Sequence, residues 1–203
     1  MNRVLIIVMM TMAAFAQDPY QFKQDVLGES LASYQQNNSE CPAAKLKTDA
    51  IRQIQFCQVR PSTLTFARTK VLEKRAGFLH GRLYLVTMTF SHADFNAVSL
   101  ALSEKFGQPA KSRSTDRAVL ITIAEVMTRK EMTQEQRQNV PLNAQTKEWA
   151  NGISTISLSE YDATDPTFNT STVSFTLDEL IKEVRDNATK SVEQSRDKAK
   201  SAM

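Results

Sequence analysis

The sequence of 203 residues is poor in the residue types that most short catalytic motifs need. It has 2 histidines, 2 cysteines and 5 glycines, and the glycines are scattered singly. Scattered glycines exclude a glycine-rich loop that would hold a phosphate group. The Gly-x-Ser-x-Gly elbow of many hydrolases is absent. The sequence therefore predicts no cofactor and singles out no catalytic residue, although side chains distant in sequence could still converge in the fold.

The chain also has little excess charge and, after its first residues, no long apolar run. Its formal net charge is +3, with 41% hydrophobic and 23% charged residues, which is typical of a globular domain. Residues 61–130 hold 11 basic and 5 acidic residues, and residues 131–203 hold 8 and 12. We favour solvated charge as the explanation; the alternatives are a basic surface for an acidic partner or contact between the halves. Basic residues do not cluster among aromatic ones, so no nucleic-acid binding is expected.

The first 16 residues have the pattern of a secretory signal. A short start with one arginine precedes the apolar run VLIIVMMTMAAFA, which ends in the small-x-small sequence Ala14-Phe15-Ala16. Cleavage between Ala16 and Gln17 is the prediction. The alternative is an uncleaved membrane anchor, but 13 helical residues cover only about 20 Å of a core about 30 Å thick. We therefore expect a periplasmic or secreted protein without stable membrane insertion after cleavage.

Export changes the interpretation of Cys41 and Cys57. In an oxidising compartment, the two cysteines of a small chain usually pair, and a disulfide here would close a loop of about 15 residues. Free buried thiols and metal ligation are the alternatives. A metal site would need two more ligands, and His80 and His92 are distant from both cysteines in sequence.

The pattern along the mature chain predicts helices and hairpins. We expect helices over 26–36, 43–53 and 91–106, the last one ended by Gly107 and Pro109. Alternation predicts strands near 54–59, 63–67, 83–90, 119–126, 156–158 and 173–177. A His80-Gly81 turn and an Asn151-Gly152 turn of type I′ would connect strands, and 128–147 would form a long exposed loop with room for a helical turn.

A capping box at Thr176-Leu177-Asp178-Glu179 predicts the start of a C-terminal helix. The expected fold class is α+β: a mostly antiparallel sheet built from hairpins, helices packed on one face, and a charged C-terminal helix. The expected division is a signal peptide (1–16), one α+β domain (17–177) and the C-terminal helix (178–203), whose distal part would be exposed.

Four apolar side chains are candidates for contact with a partner. Trp149 is the only tryptophan, and large aromatic residues often dominate interfaces, although its size favours the core. Leu180, Val184 and Val192 form a narrow stripe on the C-terminal helix, which could dock on the sheet or pair with another helix.

The layout resembles a loose group of uncharacterised bacterial exported α+β proteins that share a cysteine pair. The matching pieces are Leu27-Gly28-Glu29-Ser30, Phe78 to Leu83, Phe106-Gly107-Gln108-Pro109, and Trp149 with Ile156-Ser157-Leu158, besides the two cysteines. The order of elements is also similar to that of envelope modules of the β-lactamase-inhibitor-like type, which bind proteins without catalysis. The resemblance implies a binding module. The long loop at 128–147 and the charged terminal helix depart from those modules.

Together these observations favour an exported, non-enzymatic module that binds an envelope or extracellular protein. The alternatives are a small exported hydrolase or ligand-binding protein whose site residues converge only in three dimensions, and a structural envelope component that assembles through its last helix.

Overall fold

The computed structural model of the chain describes residues 18–50, 53–116, 121, 132–138, 143–162 and 170–201. Its centre is an eight-stranded, fully antiparallel sheet with the order β3-β4-β7-β8-β12-β11-β10-β9. Two further pairs of short strands, β1-β2 and β5-β6, lie outside that sheet. The strands are β1 Gln21–Phe22, β2 Asp25–Val26, β3 Lys47–Asp49, β4 Ile54–Val59, β5 Thr65–Phe66, β6 Thr69–Lys70, β7 Glu73–Leu79, β8 Arg82–Ser91, β9 Lys111–Asp116, β10 Asn143–Ala150, β11 Ser154–Asp162 and β12 Thr170–Leu177.

Four α-helices accompany the sheet within the described residues: α1 Leu31–Asn37, α2 Phe95–Phe106, α3 Gln134–Gln138 and α4 Asp178–Ser201. Single 3-10 turns cover Ala43–Lys45 and His92–Asp94. The predicted α+β class, with a large antiparallel sheet and a C-terminal helix, is confirmed.

One face of the sheet is apolar because the strands alternate. The register aligns Met88 with Val173, and Val173 with Leu158, and all three are fully buried. Aromatic side chains of the N-terminal region cover this face: Phe22 and Phe66 pack against Phe175. Burial of this face removes apolar side chains from water and so stabilises the fold.

The opposite face of the central strands is rich in hydroxyl groups of intermediate exposure. Hydroxyl groups of neighbouring strands face each other on it, such as Thr87 with Ser174 at 3.4 Å and Thr146 with Ser159 at 3.4 Å. The members of this hydroxyl face are Thr87, Thr89, Thr146, Thr155, Ser157, Ser159, Thr172, Ser174 and Thr176.

Several predicted elements have different bounds. The helix predicted over 26–36 begins only after Ser30, whose Oγ accepts a hydrogen bond from Ser33 N–H, because Gly28 has φ 92° and interrupts a helix. The helix predicted over 43–53 is wrong: a 3-10 turn and strand β3 occupy the described part of it. The strand predicted over 119–126 lies outside the described residues except for Ile121, which is helical.

The hairpin between β10 and β11 is confirmed, but its predicted turn type is wrong. Asn151 N–H donates to the Ser154 carbonyl, so Gly152 and Ile153 are the central residues. Only Gly152 has positive φ, 83°, which matches a type II′ turn. The Asn151 side chain causes the shift, since its Oδ1 accepts from the N–H groups of Ile153 and Ser154.

The predicted capping box is also wrong. Thr176 remains in β12, where its Oγ1 donates to the Thr155 carbonyl at 3.1 Å, and α4 begins at Asp178. The short helix α3 is the helical turn for which the loop predicted over 128–147 left room, but the residues of that loop from Asn143 onward belong to β10.

Candidate functional site

Strand β9 forms one end of the sheet. Within the described part of the chain, β9 pairs with β10 alone. Every residue of β9 except Thr115 is exposed, and Thr115 is half-buried. We call this strand the open edge.

The sequence of β9, KSRSTD, contains no apolar residue, so its conformation does not come from burying a side chain. Gly107 and Pro109 end α2 and let the chain turn back. Ala110 N–H then donates to the Glu148 carbonyl at 2.7 Å and starts the pairing with β10. The strand is therefore formed by backbone pairing with its neighbour.

The hairpin turn determines which backbone groups of β10 point toward β9. The hydrogen bond from Asn151 to Ser154 makes these residues a hydrogen-bonded pair. Such pairs involve every second residue of an antiparallel ladder. Odd-numbered residues of β10 therefore bond to β11, and its even-numbered residues point toward β9, as the Glu148 carbonyl does.

The same alternation assigns the two sides of β9. The register places Glu148 opposite Lys111 and Thr146 opposite Arg113, so the backbone groups of Lys111, Arg113 and Thr115 point toward β10. The N–H and C=O groups of Ser112, Ser114 and Asp116 point to the outer side of the open edge. These three alternate residues therefore present backbone hydrogen-bond donors and acceptors to an additional strand.

All six side chains at the open edge are polar, and two of them are basic. Lys111 Nζ lies 3.5 Å from Glu148 Oε2. Arg113 faces Thr146 across the ladder, and it has no ion pair within the described residues. The two cations share one face of the strand, and Asp116 lies on the other.

A cluster of polar side chains is buried toward the opposite end of the sheet. Lys74 Nζ donates to Asp25 Oδ1 and to Asn38 Oδ1, both at 3.0 Å, and lies 2.8 Å from Asp25 Oδ2. The Tyr34 ring centroid is 5.4 Å from the same nitrogen. Burial, followed by the negative charge of Asp25, raises the pKa of Tyr34 far above its usual range. Since all three acceptors compensate the ammonium group, the cluster joins β2 and α1 to β7 as a structural contact.

A cavity of about 370 Å³ lies where five parts of the chain meet near the start of α4. Its apolar lining includes Leu27, Ile153 and Leu177, and its charged lining is Arg82, Asp178 and Glu179. Arg82 Nη2 lies 3.2 Å from Glu179 Oε1, so one wall is an exposed ion pair. The volume is within the range of small-ligand pockets, which typically measure about 300–1,000 Å³.

Most of the candidate interaction residues are in the core. Trp149 is 1% exposed, and its Nε1–H donates to the Gly107 carbonyl at 2.8 Å. Leu180 and Val184 are each 6% exposed and belong to the core cluster, so their side chains are not a contact surface. The side chain of Val192, like Ala16 and Gln17, lies outside the described part.

Cys41 and Cys57 form the predicted disulfide, with their Cα atoms 5.9 Å apart.

Two polar contacts have the residue types of catalytic dyads but a structural geometry. Lys147 Nζ donates to Ser99 Oγ at 2.7 Å, and Ser99 is 5% exposed on the buried side of α2. His92 Nδ1 lies 3.3 Å from Glu160 Oε1, next to Ser171 Oγ, which donates to the His92 backbone carbonyl. In the first pair the lysine is the donor, and in the second the serine contacts the backbone, so neither pair presents an activated nucleophile.

Comparisons with known proteins leave the fold and the site without a named relative. No family model matches the chain, and no curated protein matches it. A crystal structure described as a GTP binding regulator from Thermotoga maritima aligns with 77% of this chain and 84% of that chain, at 7% identity and a TM-score of 0.29. A likeness at that level carries no argument about function.

Among the described residues, no three His, Cys, Asp or Glu side chains are grouped as metal ligands would be. The helices of that same part do not include one with the length and apolar character needed to span a bilayer.

Proposed function

We propose that the protein is exported and acts as a non-enzymatic binding module, which takes an extended segment of an envelope or extracellular protein as an added strand beside β9. The observation that carries this proposal is the outward direction of the backbone groups at Ser112, Ser114 and Asp116 on an exposed strand. A peptide that adds to a sheet edge gains main-chain hydrogen bonds irrespective of its side chains.

The composition of the open edge favours a docking role over a closed edge. Natural proteins protect edge strands with charged side chains, above all lysine, or with proline, bulges or a covering element. Strand β9 has no proline, and the two serines that point their backbone outward have small side chains that leave room for a neighbour. Its lysine and arginine oppose pairing with uncharged or basic strands, so they limit the edge to partners that compensate their charge.

Export is supported by two features that are independent of the edge. The disulfide between Cys41 and Cys57 is of a kind that persists in oxidising compartments. The apolar N-terminal run followed by Ala-Phe-Ala is typical of a cleaved signal. Sequencing of the exported protein should therefore begin at Gln17, and a start at Met1 on a membrane-bound product would contradict this part of the proposal.

Photo-crosslinking at the open edge tests the binding function. A photoreactive residue replaces Ser112 in the full chain, expressed in the source organism, and a second version carries it at exposed Glu104 on α2 as a control. We expect a discrete crosslinked protein from position 112 and none from position 104.

The matched pair Ser114→Pro and Ser114→Ala separates backbone pairing from side-chain contact. Proline removes an outward N–H and leaves the bonds to β10 in place, because Ser114 does not bond to β10. Crosslinking from position 112 should fall at least about tenfold with Ser114→Pro, since strand addition rests on main-chain hydrogen bonds. It should persist with Ser114→Ala. Equal crosslinking in both variants would refute strand addition.

Small-ligand binding is a second candidate, favoured by the cavity near the start of α4. It predicts saturable ligand-detected NMR signals from a small-molecule mixture, which disappear when Ile153→Phe fills the cavity.

A further inference from the structure

On the basis of the proposed function, we infer that the segment added to β9 is acidic, with carboxylates at alternate positions opposite Lys111 and Arg113. The inference rests on where the ladder places these two side chains and on which of them already has a counter-charge.

The geometry of the open edge brings partner side chains close to the two cations. On the outer side, the residues with outward backbone groups form the hydrogen-bonded pairs with an antiparallel partner. Lys111 and Arg113 then occupy non-hydrogen-bonded pairs, in which the Cα atoms are only about 4.5 Å apart and the side chains are closest. A carboxylate across from each cation would share its face of the sheet.

The two cations differ in how much counter-charge they already have. Lys111 has Glu148 within 3.5 Å on β10. Arg113 has Thr146 at the corresponding position, so the ladder supplies it with no carboxylate. Opposite charges in facing positions stabilise a strand pair and like charges destabilise it. Arg113 should therefore be the main determinant of partner choice.

A second copy of this chain does not supply the missing carboxylate. Facing residues of paired strands lie on the same face of a sheet. Asp116 is the only acidic residue of β9 and lies on the face opposite to Arg113. Pairing of β9 with the β9 of a second copy therefore cannot place a carboxylate opposite Arg113 in any register. In the register centred on Arg113, the arginines of the two copies would face each other. The charge pattern selects a different protein as the partner.

Peptides of defined charge test this inference on the exported full chain. The probes are the capped peptides TVTETETV, TVTQTQTV and TVTKTKTV, followed by the shifts of the amide signals of residues 111–116 in ¹⁵N NMR spectra. With two facing charge pairs, the Glu peptide should bind about three- to tenfold more tightly than the Gln peptide at low salt. The Lys peptide should bind most weakly, and added salt should reduce the difference.

Charge reversal supplies the decisive control. In Arg113→Glu the preference should invert, so that the Lys peptide binds more tightly than the Glu peptide. Lys70→Glu changes the net charge equally at an exposed residue of β6, away from the open edge, and should leave the preference unchanged. Equal binding of the three peptides, lost in Ser114→Pro, would overturn the acidic preference while strand addition stands. If no peptide shifts amides 111–116, strand addition fails as well.

Discussion

The two ends of the sheet are built in opposite ways. At one end, β3, β4 and β7 are held by the disulfide of Cys57 on β4 and by the buried contact of Lys74 with Asp25. We call this the stapled end. At the other end, β9 has neither a covalent cross-link nor a buried side chain, and its pairing with β10 holds it in place.

The difference separates stability from recognition. Charges at the stapled end are removed from water and must be compensated within the fold, so they constrain the N-terminal segment. Charges at the open edge are solvated, so their loss leaves the fold nearly unaffected and changes what can pair there. Substitutions of the same chemistry at the two ends should therefore have opposite consequences.

The largest effect is expected from Lys74→Met. It leaves the Asp25 carboxylate, 1% exposed, without its cation, and breaking a buried pair in this way typically costs about 3–5 kcal/mol. Urea denaturation measures the free energy of unfolding. The matched substitution Arg113→Met at the open edge should cost less than about 0.5 kcal/mol, as exposed substitutions usually do.

A second variant shows whether the uncompensated charge is the cause. Asp25→Asn added to Lys74→Met removes that charge and should recover a large part of the lost stability. If the double variant is as unstable as Lys74→Met, packing of the lysine stem is responsible. Equal losses from Lys74→Met and Arg113→Met would remove the distinction between the two ends.

Removal of the disulfide should have the next largest effect. The double variant Cys41→Ser, Cys57→Ser opens a loop with a sequence separation of 16, for which the chain-entropy model gives about 3 kcal/mol. Urea denaturation with and without a thiol reductant measures it. The wild type should lose stability in reductant and approach the variant, whereas the variant should not respond. An unchanged midpoint in the variant would mean that the buried ion pair alone holds the stapled end.

Elements with local signals could be predicted from the sequence. Strand β4 matches the predicted 54–59, and Gly107 ends α2 as expected, with a positive φ of 82° but a ψ of −170° that is not the expected left-handed helical conformation. The His80-Gly81 turn has positive φ at both residues, 49° and 71°. These features depend on alternation or on glycine conformation, which neighbouring residues determine.

The two ends of the sheet could not be predicted, because their structure depends on residues that are distant in the sequence. Strand β9 has no apolar alternation and is recognised only by its pairing with β10, more than 25 residues later. Asp25 and Lys74 are 49 residues apart, and nothing local marks either as buried. Trp149, Leu180 and Val184 are recognisable in the sequence as apolar side chains that either contact a partner or join the core, and their burial depends on how the core closes around them.

The smallest effect is expected at the stapled end itself, from Tyr34→Phe. Tyr34 is 2% exposed and packs edge-on against Phe78, with ring centroids 5.2 Å apart, and phenylalanine preserves that contact. Stability near pH 8 should therefore change little. In alkali the two proteins should separate, because burial and the nearby Asp25 charge raise the pKa of Tyr34 in the folded state.

A raised folded-state pKa means that the stabilisation by neutral Tyr34 is fully present below the unfolded pKa of about 10 and is lost as the pH rises above it. Between pH 10 and 11 the wild type should lose about 1 kcal/mol more than Tyr34→Phe. Tyr20→Phe is the control, since burial raises the pKa of that half-buried residue too, but without the carboxylate. Its alkaline loss should stay closer to that of the wild type. Parallel pH profiles for the wild type and Tyr34→Phe would show that the hydroxyl ionises as readily in the fold as in water, and that the stapled end is open to solvent.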